Sequence, residues 1–159
     1  MAAPMGPQLR EATNADGEPI RDLVFAVLEE YGLKPDPGST DADLGDIEQS
    51  YFARGGTFRV LEDQDGSVVG AYGLYPMENH TCELRKMYLR RNYRGQGLGR
   101  RLLDDALAKA RGLGFESVVL ETASVLKEAI ALYERYGFAP YQPDHLSPRC
   151  DQAYLLELK

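Results

Sequence analysis

The hydrophobic period changes along the chain, and each change marks an element. Thr57 to Glu62 and Val68 to Tyr75 are rich in β-branched and aromatic residues and meet at Asp65-Gly66, which predicts a hairpin. Cys82 to Leu89 and Leu9 to Glu11 read as further strands. Ile20, Leu23, Val24, Val27 and Leu28 recur at helical spacing, predicting a helix from about Pro19 to Tyr31 that is capped by Thr13 or Asn14 and stopped at Gly32. After a connection through Pro35, Pro37 and Gly38, Ser39 or Thr40 can cap a short second helix. That helix carries Asp41 and Asp43 in its first turn and Leu44, Ile47 and Tyr51 on one face, before Gly55-Gly56 breaks the pattern.

From Leu98 the period becomes 3.6. Leu98, Leu102, Leu103, Ala106, Leu107 and Ala110 form one apolar stripe that ends at Gly112 and Gly114. Val118, Val119 and Leu120 place a buried strand over Ser117 to Glu121, Leu126 to Tyr136 is a helix closed by Gly137, and Ala153 to Leu158 is a last strand. Strands followed by crossover helices imply a mixed α/β (α+β) fold whose sheet is covered by helices on both faces. Without an internal repeat or linker, residues 9–159 read as a single domain, and residues 1–8, made of small residues, Pro and Gly, as a frayed tail.

Composition narrows the function. No apolar run approaches the roughly 20 residues of a membrane-spanning helix, so no membrane role is expected. Cys82 and Cys150 are too few for a disulfide framework, which points to a reducing cytoplasm. A net charge of −7 disfavours nucleic acid as a partner. Within this acidic chain, however, Arg85, Lys86, Arg90, Arg91, Arg94, Arg100 and Arg101 follow one another with no acidic residue between them, and an anion is expected to dock there. His80 and His145 lack partners at ligand spacing, so no metal is expected.

The basic stretch holds Arg94-Gly95-Gln96-Gly97-Leu98-Gly99 between a strand and a helix. The first turn of a helix has unpaired N–H groups and a partial positive charge, and glycines let a phosphate approach them. The stretch lacks the Gly-Lys-Ser/Thr of a P-loop, and Arg100 stands where a dinucleotide fingerprint has its last glycine.

The segment from Glu83 to Phe138 resembles the core of the GNAT N-acetyltransferase superfamily. Arg94, Gly97 and Gly99 fill that family's signature, Arg or Gln, two residues, Gly, one residue, Gly or Ala. Leu132-Tyr133 and Gly137-Phe138 fill its second motif. The resemblance implies a mostly antiparallel sheet and acetyl-CoA as co-substrate, with no metal. It places the pantetheine arm along Met87, Tyr88 and Leu89, with the N–H near Leu89 facing the thioester carbonyl. The pyrophosphate falls on Arg94, Gly95, Gln96, Gly97, Leu98, Gly99 and Arg100. Leu126 stands where many members carry an Asn that contacts the cofactor.

The same resemblance makes Tyr133 a general acid for the departing thiolate; its helical face, shared with Leu126, Ala129 and Ile130, equally suits a core aromatic. Glu83 stands where the histone-acetylating branch has its base, and alternation puts it on one face with Arg85, Met87 and Leu89; an ion pair with Arg85 is the other reading. Arg149, Cys150 and Asp151 can line an acceptor pocket or cap a loop, and Asp36, Asp41, Asp43, Asp46 and Glu48 offer an acidic wall suited to a cationic amine. The expected activity is transfer of acetyl from acetyl-CoA to a small-molecule or peptide amine by direct attack in a ternary complex, and a homodimer is compatible with it. A domain that holds acyl-CoA without turnover, or one that meets an acidic partner, are the competing classes.

Overall fold

The structure, a computed structural model, describes residues 6–158; residues 1–5, which hold most of the expected tail, and residue 159 lie outside the described residues. Seven strands form one sheet in the order β1-β2-β3-β4-β5-β7-β6. They are β1 (Gln8–Glu11), β2 (Thr57–Glu62), β3 (Val68–Pro76), β4 (Thr81–Leu89), β5 (Ser117–Thr122), β6 (Ala139–Pro140) and β7 (Gln152–Glu157). Every neighbouring pair is antiparallel except β4 with β5. Gln8, expected in the tail, already pairs with Glu62.

Helices α1 (Gly17–Glu30) and α2 (Ile47–Ser50) cover one face, burying Ile20, Leu23, Leu28 and Ile47 against Phe58, Val60 and Ala71. Helices α3 (Leu98–Gly112) and α4 (Lys127–Arg135) cover the other, where Leu102, Leu103 and Leu132 meet Leu61, Leu74 and Leu120. The alternation of the strands divides these two sets, and the stripes read from the sequence are the faces that meet them.

Two local expectations are corrected. The short helix does not start at Ser39 or Thr40: a 3₁₀ turn spans Ala42–Gly45, and α2 begins after Asp46, whose carboxylate accepts from the Gln49 N–H at 3.1 Å. Asp41 thus flanks the 3₁₀ turn and Asp43 lies within it, and the Asp41 carboxylate makes no capping hydrogen bond there. The second correction concerns β4. Gly73 pairs with Arg85 and Ala71 with Tyr88, so two residues of β4 oppose Tyr72 alone, and Lys86 takes the left-handed conformation, φ +56°. This bulge reverses the alternation. Glu83 shares the face of its partner Tyr75, on the α1 side, whereas Met87 and Leu89 pack on the α3 side. The single face expected for Glu83, Arg85, Met87 and Leu89 does not exist.

Candidate active site

The site begins where β4 and β5 part. Their parallel pairing covers only Thr81 to Glu83 against Ser117 to Val119, while β5 stays paired with β7 as far as Thr122. Leu84 to Leu89 therefore leave β5, and a cleft of about 690 Å³ opens between the strands, reaching from the start of α3 to the loop before β7. The N–H of Arg90 donates to Val69 O on β3 at 2.9 Å. Alternation then turns the N–H and carbonyl of Leu89 away from β3, toward the cleft.

At one end of the cleft lies the expected anion turn. Gly95 and Gly97 have φ of +78° and +80°, values that side chains other than glycine rarely adopt, and a Cβ at either would meet nothing within 4 Å. Gly97 is the N-cap of α3, so the unpaired amides of that helix follow directly. Arg94, Gly95, Gly99 and Arg100 line the cleft; Gln96, Gly97 and Leu98 do not, and Leu98 packs into the core instead.

Most of the basic stretch serves the protein rather than a ligand. Arg90 donates to Val68 O, Arg101 to Pro7 O, and Arg85 and Lys86 are ion-paired on the α1 side. Arg94 grips Glu30 at the end of α1 through both carboxylate oxygens and donates to Leu89 O at 2.9 and 3.0 Å. Arg100 has no side-chain partner among the described residues and stands at the cleft. It is the cation of this turn left for an anion.

Tyr133 is 6% exposed, packs its ring 5.6 Å from Phe138 and lines the cleft. The ring belongs to the core, as one of its two expected readings has it, and the residue also borders the cavity. Burial, with Tyr88 as a smaller cause, pushes its phenol well above the ordinary value. Tyr88, across the opening, is itself pushed up to about 12 by burial, against a lowering influence from Arg149. Burial thus favours the neutral, donating form of both phenols.

The other end of the cleft carries charges. Glu83 is bonded to the Arg85 guanidinium, which lies 3.8 Å over the Tyr75 ring. Asp41, fully buried at its side chain, receives Arg149 Nη1 and Nη2 at 2.8 and 2.6 Å and Lys86 Nζ at 3.2 Å. Burial works against its charge, but the Arg149 hydrogen bonds and Lys86 overcome it and hold its carboxyl below the usual range. Lys86 also meets Asp43 at 3.4 Å, and Tyr51 OH donates to Asp43.

The expected acidic wall is thus spent. Asp41 and Asp43 are neutralised, Asp36 accepts from Thr40, Asp46 caps α2 and Glu48 accepts from the Asn14 N–H. Arg149 and Cys150 do line the cleft, whereas Asp151 fastens the loop by accepting from Ser124 N and Oγ.

One residue was missed. Glu121, on the same face of β5 as Val119, the partner of Glu83, lines the cleft; its Oε1 accepts from Ser147 N at 2.8 Å and Oγ at 3.0 Å, and its Oε2 has no partner among the described residues. The signal available was its position at the end of a buried strand, which names no role by itself. Among the described residues no group of His, Cys, Asp and Glu is arranged to hold a metal ion, and no helix is long and apolar enough to cross a membrane.

Comparison with known proteins agrees with this geometry. The model of the acetyltransferase (GNAT) family matches residues 23–138. The N-acetyltransferase YjgM of Escherichia coli (strain K12), itself uncharacterized, is 43% identical over 141 residues, covering 86% of this chain and 84% of its own. An acetyltransferase of the GNAT family from Staphylococcus aureus Mu50 shares the fold with a TM-score of 0.90 at 23% identity, over 96% of this chain and 99% of that one. yncA of Salmonella typhimurium, solved with its cofactor acetyl-CoA, shares it with a TM-score of 0.73 at 24% identity, over 96% and 94%. With a family match over most of its length, a split β4–β5 pair and a glycine turn at the start of α3, the chain belongs to the GNAT family of acetyltransferases.

Proposed function

We propose that the protein transfers acetyl from acetyl-CoA to an amine by direct attack within a ternary complex. The observation that carries this reading is the parting of β4 and β5 beyond Glu83, which opens backbone groups of β4 onto the same cleft as the glycine turn of α3. The residues present suit coenzyme A. Gly95 and Gly97 leave open space where any other residue would set a Cβ, the α3 amides and Arg100 favour a pyrophosphate, and Met87, Tyr88 and Leu89 border the path of a pantetheine arm. Leu126, also at the cleft, offers an apolar contact in place of a polar one. Bound there, acetyl-CoA supplies an activated acyl group as its thioester.

The chain's own residues do the rest. The Leu89 N–H, aimed into the cleft, donates to the oxygen on which negative charge develops, and the loss of such a donor typically costs about 2.7–4 kcal/mol. Tyr133 donates a hydrogen bond to the departing sulfur. Its raised pKa keeps it protonated but makes it a reluctant acid, so full proton transfer needs a thiolate whose own pKa is raised by the same burial.

An alkyl amine with a pKa of about 10.4 must lose a proton before it attacks. Glu121 is our candidate to take it, directly or through water, since its Oε2 is uncommitted. Glu83 borders the same space but holds Arg85, and it is the second candidate.

Thiol release from acetyl-CoA across a panel of amines tests the reading. Release that requires both an amine and the wild-type protein supports it. Tight acetyl-CoA binding without release for any amine makes the protein a holder of acyl-CoA.

A further inference from the structure

The acceptor end of the cleft shows which kind of amine fits. Its wall presents three cations, Arg85, Lys86 and Arg149, and two carboxylates, Glu83 and Glu121. Asp41 and Asp43 lie behind the wall and do not line the cleft, and with Glu83 they pair all three cations. The wall therefore carries no net excess of cations, and what it offers a ligand is whatever donors and acceptors these pairs leave over. A molecule that brings its own anion can use such a donor.

Arg149 is placed to receive that anion. Among the described residues, three of its N–H donors are spent, two on Asp41 and one on Lys34 O. The Tyr88 hydroxyl is a further partner, and a guanidinium has five donors, so one remains for the cleft. Lys86 pairs with both Asp41 and Asp43, so movement of Arg149 toward a ligand does not strand Asp41 as a lone buried charge. Arg149, Tyr88 and Tyr133 line the same cleft. The free Oε2 of Glu121 offers the complementary site for an ammonium on the opposite strand.

We propose that the acceptor is an amine carrying its own anionic group, a carboxylate or an equivalent anion as in a free amino acid, with the anion on Arg149 and the amine toward Glu121. This rests on the acetyltransferase reading above. A charge-assisted hydrogen bond of the guanidinium–carboxylate type contributes about 1.5–3 kcal/mol, so the anion should be worth roughly a 10- to 100-fold gain in kcat/KM over the same amine without it.

The test compares the common amino acids, each with its carboxamide and its decarboxylated amine, by thiol release from acetyl-CoA. The variants are Arg149→Gln, Asp41→Asn and the double variant, which removes both charges of the pair and so remains foldable if Arg149→Gln alone does not. At least one amino acid should exceed its carboxamide by the stated factor. The preference should survive in Asp41→Asn and vanish in Arg149→Gln and in the double variant, while acetyl-CoA affinity stays level in all three. A merely structural Arg149 would make Asp41→Asn and Arg149→Gln behave alike, which overturns the inference. So does turnover confined to amines without an anion, with acetyl-CoA binding intact; in that case the acetyltransferase reading stands. Absence of acetyl-CoA binding by the wild-type protein overturns that reading and this inference with it.

Discussion

Arg94 donates to the carbonyl oxygen of Leu89 through Nε at 3.0 Å and Nη2 at 2.9 Å, and so fastens the end of the split strand to the turn that opens α3. The same guanidinium holds Glu30, which ties both to the end of α1. The signature arginine of the family motif is thus a brace between the two halves of the proposed cofactor site.

This brace gives the first expected outcome. Lysine cannot span Glu30 and Leu89 O together, so Arg94→Lys should weaken acetyl-CoA binding by about 10-fold, the lower end of what charge-assisted hydrogen bonds contribute. Glu30→Gln should weaken it less. Isothermal titration measures both, and unchanged affinity in Arg94→Lys would leave the brace without a role in binding.

Gly97 and Gly66 separate backbone strain from ligand binding. Both have positive φ, +80° and +88°, and neither has an atom within 4 Å of a built Cβ. An alanine at either site should lower stability by about 1–2 kcal/mol through conformation alone. Only Gly97→Ala should also diminish the rise in melting temperature caused by acetyl-CoA, because only Gly97 aims the α3 amides. An equal acetyl-CoA response in the two variants would move the phosphate site elsewhere.

The elements that were legible from the sequence are those set by local pattern. The stripe from Leu98 to Ala110 is α3, the Asp65-Gly66 turn joins β2 and β3, and Leu44, Ile47 and Tyr51 are buried as their spacing requires. What was illegible depends on partners distant in the chain. The bulge at Lys86 occurs together with ion pairs to Asp41 and Asp43, far before it in sequence, and with a register shift against β3. Period alone could not show it, so the face of Glu83 was misread. Asp41 read as a first-turn acid of a helix and part of an acidic wall because its partner, Arg149, lies near the other end of the chain. The glycine turn lies in one continuous segment, so its place at the start of α3 was readable; the charged end of the cleft joins β4, β5 and the loop before β7, which no single segment could show.

Tyr133→Phe keeps the ring in the core against Phe138 and removes only the hydroxyl. Acetyl-CoA affinity and melting temperature should hold, while the rate constant of the bound complex falls by about 10²–10⁴. A folded Tyr133→Phe variant with full turnover would make Tyr133 a core residue only.

The Asp41 carboxylate predicts a pH response. Its pKa is lowered in the folded protein, so the unfolded chain binds the proton more readily, and the stabilisation is complete above the unfolded value of about 3.9 and lost as pH falls through the folded value. Asp41→Asn should cost about 3–5 kcal/mol at neutral pH, as loss of one partner from a buried pair does, and the gap from wild type should narrow in acid. Denaturant melts at neutral pH and near about pH 3 measure this. A gap of equal size at both would show that the cost lies in packing and not in charge.

The central claim is that acetyl-CoA lies in the split between β4 and β5 with its pyrophosphate on the first turn of α3. Backbone amide NMR shifts followed during titration with acetyl-CoA test it most directly, because the amides themselves are the proposed ligands. The account predicts saturable shifts concentrated at Met87 to Leu89 and at Gly95 to Arg100, with little change along β1 and β2. Saturation with shifts centred elsewhere, or no shift at those amides in the presence of excess acetyl-CoA, would contradict it.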